Sequence, residues 1–478
     1  MKKVLLIFLL FSFSTKIFAQ QFSQYNTGTL YDSFENPAQK AFITDSSKKY
    51  ATNLLFPNFN ANFYVTGDAQ ASLKSRAFLN KYDNSALLFN QGRFNHFNGN
   101  ANVYLVMFKI FSSFNGDTEL GFSVQNKMES RSLFTDETVL LLNGPQGFPG
   151  SAYSGIFNNT FNFQSYNQFG FTYKEKINNH FTLGAKLSLL LGVISERLDI
   201  ANSQVVFDKP NDSAILGLAG LYQSSYIPGR FILRDFLPTF RNPGAAISLG
   251  ASYRTEDGFI IQGNIKDLGF IHWSKRSTVS SFADIRTIGG LSGKSREDSL
   301  YNAVYKIIRS NGVIGSFTTP IDGRAELSVN KQFWLDDNRN FKYSPTLIAS
   351  KELFYPGFTG ALVNPVQYKS YVLTLTTSYD DMKFFNLGTQ FMYKTPNFEF
   401  YIGTERLMQT ARLTKAAISH SETDKYSSGN NYTGADFFMG MAFRFGPVTE
   451  HPMNSSTIPM GEKGFLGRLW GRIFKTDQ

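Results

Sequence analysis

Apolar and polar positions alternate along most of this chain with a period of two. Residues 242–273 show the pattern most fully: Ile247, Leu249, Ala251 and Tyr253 alternate with Ser248, Gly250 and Ser252, a charged turn with an Asp257-Gly258 pair follows, and Phe259 opens a second strand. Leu183, Ala185, Leu187, Leu189, Leu191 and Val193 make another apolar face, against Thr182, Gly184, Lys186 and Ser188. Similar stretches lie at 54–66, 101–111, 119–128, 161–173, 326–334, 342–353, 371–379, 384–394, 397–407 and 436–446, with one more strand within 203–222. The basic, aromatic stretch 227–241 is left open. The pattern predicts about fourteen antiparallel strands, each apolar on one face only, which suits a single closed barrel with lipid outside and a polar lumen inside.

Short turns at 254–258, 336–340, 380–383 and 395–396 create a difficulty. They cannot all lie at one end of the barrel if each segment is one strand, so either one tight turn faces the exterior or a strand is missed or split. Gly144-Pro145-Gln146-Gly147-Phe148-Pro149-Gly150 cannot continue a strand and reads as a long surface loop. Within 274–320, Leu300, Tyr301, Val304, Ile307 and Ile308 recur at helical spacing and predict a short amphipathic helix.

Residues 1–19 read as a secretory signal, with Lys2 and Lys3 before an apolar core and Ile17-Phe18-Ala19 at the cleavage site. The expected organisation is then a hatch-like segment at 20–49, a barrel at 50–446 and a periplasmic tail at 447–478. A hydrophobic fraction of 42% with mean hydropathy −0.21 is too polar for a helical membrane protein and fits strands with one apolar face. The 49 Phe and 23 Tyr suit a lipid-facing surface with aromatic girdles. Net charge is +10, and removal of Lys2, Lys3 and Lys16 leaves 10 − 3 = +7. These charges are spread through turns and alternating positions, so nucleic acid is not an expected partner. Outer-membrane lipid is.

Lys266-Asp267-Leu268-Gly269-Phe270-Ile271-His272-Trp273 resembles the DLGFIxW strand end of an uncharacterised outer-membrane β-barrel family of Bacteroidota. That family is distantly related to the FadL-type fatty-acid transporters and similar to barrels associated with type IX secretion. The motif residues are Asp267, Leu268, Gly269 and Trp273. Asn36, Pro37 and Ala38 resemble the step near the start of FadL-type barrels, where an N-terminal segment folds into the lumen as a hatch; Asn-Pro reads equally as a plain turn. The resemblance implies an exported protein of the Gram-negative outer membrane.

Catalytic chemistry finds no foothold. The five histidines have no pair at ligand spacing, cysteine is absent, Asp336-Asp337 and Asp380-Asp381 sit in turns, and no nucleophile elbow occurs. A non-enzymatic barrel without cofactors is expected. The first functional reading is an accessory or anchor of a surface secretion, gliding or display machine. The alternative is FadL-like passive transport of hydrophobic small molecules, and a general porin is third. The tail carries the partner expectation: Phe465, Leu466, Leu469, Trp470, Ile473 and Phe474 fall on one helical face, with Arg468, Arg472 and Lys475 away from it. Such a face suits an envelope protein partner, the membrane interface, or a fold back onto the barrel's own mouth.

Overall fold

The computed structural model describes residues 21–43, 46–89, 92–112, 117–226, 238–426, 432–448 and 464–465. Fourteen antiparallel strands close into one barrel. The first is split, β1 (Lys48–Thr52 and Asn58–Thr66); β2 (Phe94–Phe111), β3 (Thr118–Thr135), β4 (Thr160–Lys176), β5 (Phe181–Asp208), β6 (Pro243–Arg254) and β7 (Phe259–Trp273) follow. The others are β8 (Phe317–Pro320 and Arg324–Lys331), β9 (Thr346–Glu352), β10 (Phe358–Tyr368), β11 (Tyr371–Asp380), β12 (Phe385–Lys394), β13 (Phe398–Thr404) and β14 (Tyr432–Val448). Each pairs with the next, and β14 closes on both pieces of β1.

The burial pattern is inverted relative to a water-soluble protein. Leu187, Leu249, Leu327, Leu347 and Leu373 are exposed on the outer wall, while Lys109, Glu119, Lys174, Lys186 and Asp267 are buried inside. Lipid is the solvent that makes this sensible, because a closed ladder leaves no backbone group unpaired in hydrocarbon. Along β11, Tyr371, Leu373, Leu375 and Tyr379 are exposed. Eight residues separate the two tyrosines, about 27 Å along the strand and about 20 Å along the axis at a tilt near 40°, close to an apolar band bounded by aromatic girdles.

An even strand number brings both ends of the barrel to one side. Turns 177–180, 255–258, 369–370 and 395–397 lie there, whereas four of the connections at the other end carry helices: α2 (Gln70–Leu79), α3 (Asp136–Asn143), α4 (Arg296–Ile308), and the pair α5 (Leu407–Ile418) and α6 (Glu422–Tyr426). The first side is therefore periplasmic and the second extracellular. This resolves the turn problem. Strand β10 is absent from the sequence-based count, and with it in place turns 353–357 and 381–384 are tight but extracellular.

Two further expectations change. The strand expected within 203–222 is not a separate wall strand: β5 runs unbroken for 28 residues and its outer half pairs with Ser213–Ser224, which pairs in turn with Thr278–Gly289. This extension is covered by α3 and α4, with Leu140, Phe148, Val205, Phe207, Leu216, Phe282, Leu300 and Ile307 in one apolar core. The Gly-Pro stretch thus inserts Phe148 into a packed extracellular cap, and α4 covers that cap's sheet.

Candidate functional site

The lumen is occupied by the chain's own N-terminal segment. Residues 21–43 carry a short turn at Phe22–Gln24 and a helix, α1 (Leu30–Glu35), capped by Thr29, whose side chain accepts from the Asp32 N–H at 3.2 Å. Wall side chains bind its backbone. The N–H of Leu30 donates to Glu399 at 2.6 Å, Lys109 Nζ donates to the Ser33 carbonyl at 3.3 Å, and Arg444 donates to the Ala41 carbonyl at 2.9 Å. Ser23 donates from both its N–H and its hydroxyl to Glu405, at 2.9 and 2.6 Å. Glu35 accepts from the Tyr104 hydroxyl at 2.6 Å and pairs with Lys266.

Asn36, Pro37 and Ala38 form a turn inside the barrel. Asn36 Oδ1 accepts from the Ala38 N–H at 3.0 Å, and its amide donates to Gln262 at 3.1 Å. The wall makes room with glycine. A Cβ on Gly184 of β5 would lie 2.1 Å from the Pro37 carbonyl oxygen, and one on Gly250 of β6 would lie 2.6 Å from Asn36 Oδ1. A larger residue at either position would meet the plug's polar backbone or amide.

The Asp267 motif has a geometric explanation. Between Ile265 and Leu268 the register of β7 against β6 slips, and Asp267 adopts φ 49°, rare for a residue with a side chain. The bulge turns two consecutive charged side chains to the lumen: Lys266 takes Glu35 of the plug, and Asp267 takes the wall cations Lys127 and Lys186, the latter at 3.3 Å. Gln168 and Ser248 complete the Asp267 carboxylate, and the Asp267 N–H donates to Ser248 at 2.9 Å. Leu268 returns to the lipid face. Gly269 lets β7 approach β6, since a Cβ there would lie 2.4 Å from the Ala245 carbonyl oxygen. Trp273 is fully buried, donates to Thr319 at 2.8 Å and lies against Gly192.

Two more buried ion clusters stiffen the wall. Arg131 binds Asp322 at 2.6 Å and Glu352 at 3.1 Å under the Tyr355 ring, while Glu119 joins Lys109 and Lys174, both at 2.9 Å. Sequence reading missed these clusters. Its available signal was Lys127, Glu129 and Arg131 at alternate positions of one strand; the partners lie up to 221 residues away.

An apolar recess occupies one side of the lumen. Leu30, Tyr31, Phe34 and Phe42 of the plug fill it, against Tyr104, Met107, Phe111, Met392, Tyr401 and Phe438 of the wall. Beside it β1 is interrupted at 53–57, where Leu54 and Leu55 are exposed outward. Two asparagines replace the missing ladder. Asn53 accepts from the Met107 N–H and donates to the Tyr104 carbonyl; Asn58 accepts from the Met441 N–H and donates to the Tyr401 hydroxyl. With the plug seated, the pocket between plug and wall is only about 50 Å³ and is lined by Tyr25, Tyr31, Glu35, Lys127, Lys266 and Asp267 among others. Drug-sized ligands need roughly 300 Å³ or more, so this pocket has no room for one while the plug is seated.

Residues 41–405 match a family of unknown function, DUF5723. The chain belongs to that family. No curated protein matches it. Solved structures similar to it include a FadL homologue of Pseudomonas aeruginosa, at 12% identity over 89% of this chain and 96% of that one, TM-score 0.42. The toluene transporter TodX of P. putida matches at 8% identity over 86% and 92%, TM-score 0.38. The translocator domain of the autotransporter NalP from Neisseria meningitidis matches at 8% over 83% and 89%, TM-score 0.32.

Of the tail residues singled out by sequence, only Phe465 is described, and it is exposed; Leu466, Leu469, Trp470, Ile473 and Phe474 lie outside the described residues, as does the signal segment. Gly464 lies against the Glu175 carboxylate at the periplasmic rim.

Proposed function

We propose that this barrel is a passive transporter of hydrophobic small molecules across the outer membrane, with residues 21–43 as its movable plug. The observation that carries this reading is the apolar recess. The plug's own Tyr31, Phe34 and Phe42 occupy a wall pocket of aromatic and methionine side chains beside the interrupted strand β1. Withdrawal of the plug would uncover that pocket next to the lipid, where an apolar solute could take the place of the three rings. The plug's hydrogen bonds go largely to charged wall groups such as Glu399, Lys109, Arg444 and Glu405, and water can take over these bonds when the plug leaves.

The test uses the absence of cysteine from the chain. Glu35 of the plug and Lys266 of β7 are ion-paired and both line the cavity, so cysteines at these two positions can be joined by a bifunctional methanethiosulfonate reagent. Glu35→Cys with Lys266→Cys should lock the plug once cross-linked. Uptake of a hydrophobic fluorescent probe into proteoliposomes should stop in the cross-linked protein and return on reduction. Equal uptake in both states would refute plug movement.

The extracellular cap supports a second reading, in which the closed barrel anchors a cell-surface machine. A sheet extension with its own apolar core is more than is needed to shut a pore. Stoichiometric recovery of an envelope protein that depends on residues 200–222 and 278–308, with no probe uptake, would favour it over transport.

A further inference from the structure

Three connections meet at the extracellular rim above β6 and β7: 238–242, 274–277 and 312–316. Asn242 Oδ1 accepts from the Ser274 N–H at 3.0 Å, the Asn242 carbonyl accepts from the Gly192 N–H at 2.8 Å, and the Ser277 carbonyl accepts from the Gly315 N–H at 2.9 Å. These bonds bring Arg241, Lys275 and Arg276 into one patch with Phe240, Val313 and Ile314, and all six residues are exposed. The apolar members are so to an unusual degree: Phe240 is 75% exposed, Val313 64% and Ile314 77%.

The charges of the patch are uncompensated. Three exposed cations elsewhere at this end of the barrel meet carboxylates: Lys81 meets Glu422 at 3.0 Å, Arg93 meets Asp68 at 3.3 Å and Lys415 meets Asp424 at 2.9 Å. Arg241, Lys275 and Arg276 pair with no carboxylate among the described residues. Depth sets what surrounds them. Along β7, Ile261, which pairs with Tyr253, begins an exposed stripe that continues through Ile265, Leu268 and Phe270 and ends at His272. Those eleven steps cover about 36 Å along the strand and about 28 Å along the axis at a tilt near 40°, slightly more than an apolar band of roughly 25 Å. The turn at 274–277 therefore leaves the hydrocarbon at the level of the lipid headgroups. Exposed apolar side chains beside exposed cations suit that boundary, where the rings and methyls meet acyl carbon and the cations meet phosphate.

We propose that this patch is a binding site for a phosphorylated lipid of the outer leaflet. Arg241, Lys275 and Arg276 take the phosphate, each guanidinium offering a fork of donors to its oxygens, and Phe240, Val313 and Ile314 lie against the first carbons of the acyl chains. The site continues the lipid face of β7 and lies outside the lumen, so the inference does not rest on the transport reading. It also has a structural consequence. The turn at 274–277 runs directly into Thr278–Gly289 of the extracellular sheet extension, so a lipid held there ties the base of the cap to the membrane.

The test titrates the full-length protein in mild detergent with lipid A, phosphorylated or dephosphorylated, and counts bound lipid by native mass spectrometry. Each cation removed should weaken binding of the phosphorylated form by roughly fivefold, so Arg241→Gln/Lys275→Gln/Arg276→Gln should weaken it by about a hundredfold. The control is Lys294→Gln/Lys383→Gln/Arg412→Gln, which removes the same charge from exposed positions at the same end of the barrel and should bind as the parent does. Parental affinity in the rim variant, an equal loss in the control, or equal affinity of the parent for the dephosphorylated lipid would overturn the proposal. Displacement of the lipid by an equal concentration of inorganic phosphate would also overturn it, by showing a site for a soluble anion. If the triple rim variant does not assemble, as judged by heat modifiability, Lys275→Gln alone carries the test through its fivefold loss.

Discussion

Gly184→Ala should unseat the plug without disturbing the wall. Gly184 lies on β5 facing the lumen, and an added Cβ would meet the Pro37 carbonyl oxygen at 2.1 Å, its carbon at 2.2 Å and the Ala38 nitrogen at 2.7 Å. Cβ contacts below 3.0 Å essentially never occur, so the Pro37 carbonyl must retreat by about 3.0 − 2.1 = 0.9 Å. A displacement of that size strains the Asn36–Gln262 and Ala38–Asn36 hydrogen bonds of 3.1 and 3.0 Å, each worth about 1 kcal/mol. Overpacking itself adds about 1 to 3 kcal/mol. Together these come to about 3 to 5 kcal/mol against the seated plug, a shift of about 150- to 5,000-fold in its seating equilibrium at 1.36 kcal/mol per factor of ten. The β5 ladder is untouched, since alanine fits a strand. Planar-bilayer conductance should therefore rise, and the N-terminal segment should become sensitive to protease from the periplasmic side, while the gel shift between boiled and unboiled protein persists. Gly263→Ala is the control, because a Cβ at Gly263 meets nothing within 4 Å. Parental conductance and protease protection in Gly184→Ala, or the same change in Gly263→Ala, would refute the reasoning.

Other expectations follow from the same geometry. Leu187→Arg places a cation on the lipid face and should lower unfolding stability by about 2 to 4 kcal/mol if Leu187 sits near the bilayer midplane, measured by denaturant titration in vesicles; no loss would misplace that face. Asp267→Gly accepts the left-handed backbone but strips the carboxylate from Lys127 and Lys186. It should cost about 3 to 5 kcal/mol by leaving buried cations unpaired, and Asp267→Asn should recover little of that; near-neutral Asp267→Gly would show that the bulge, not the charge, is what the site needs. At the cap, Arg76 binds Glu297 at 2.8 Å. Burial alone would raise the Glu297 carboxyl, but hydrogen bonds from Arg76 and Tyr82 outweigh it and hold it below the usual range. A depressed folded value stabilises above the ordinary carboxylate pKa and loses that contribution as pH falls through the depressed value. Protease resistance of the loop bearing α4 should therefore fall below about pH 4 in the parent and be pH-independent there, but weaker throughout, in Glu297→Gln.

The wall was legible because a barrel writes its two solvents into alternate residues. Leu187 faces lipid and Lys186 the lumen, and the pattern needs no tertiary knowledge to be seen. It failed where the ladder is irregular. β10 escaped notice because Pro365 argues against an interior strand; it is tolerated where the partner changes, between Val363 opposite Thr346 and Val366 opposite Tyr343. β5 was split because Leu190 and Ile194 break the alternation on either side of the bulge near Val193. Ser188 shows a different limit. Alternation assigns it to the lumen correctly, and a wet lumen would tolerate Ser188→Arg, but Ser188 is 6% exposed and accepts from Gln168 at 2.9 Å, so the substitution should also be damaging. Alternation reports which side a residue faces and not what fills that side.

The filling is the part that only the three-dimensional structure supplies. Glu35, Lys266 and Tyr104 are separated by up to 231 residues in sequence, and nothing local marks them as one contact. Even so, the chain gave a partial sign in Lys266-Asp267, two opposite charges side by side in a strand. On a regular strand one of them would face hydrocarbon, where a charge is expensive. A charged pair in that position therefore implies a bulge that turns both inward, and a bulge that aims two charges into a lumen implies that the lumen contains something to receive them. Here one charge goes to the wall and the other to the plug, so the same two residues join the barrel to the segment that closes it.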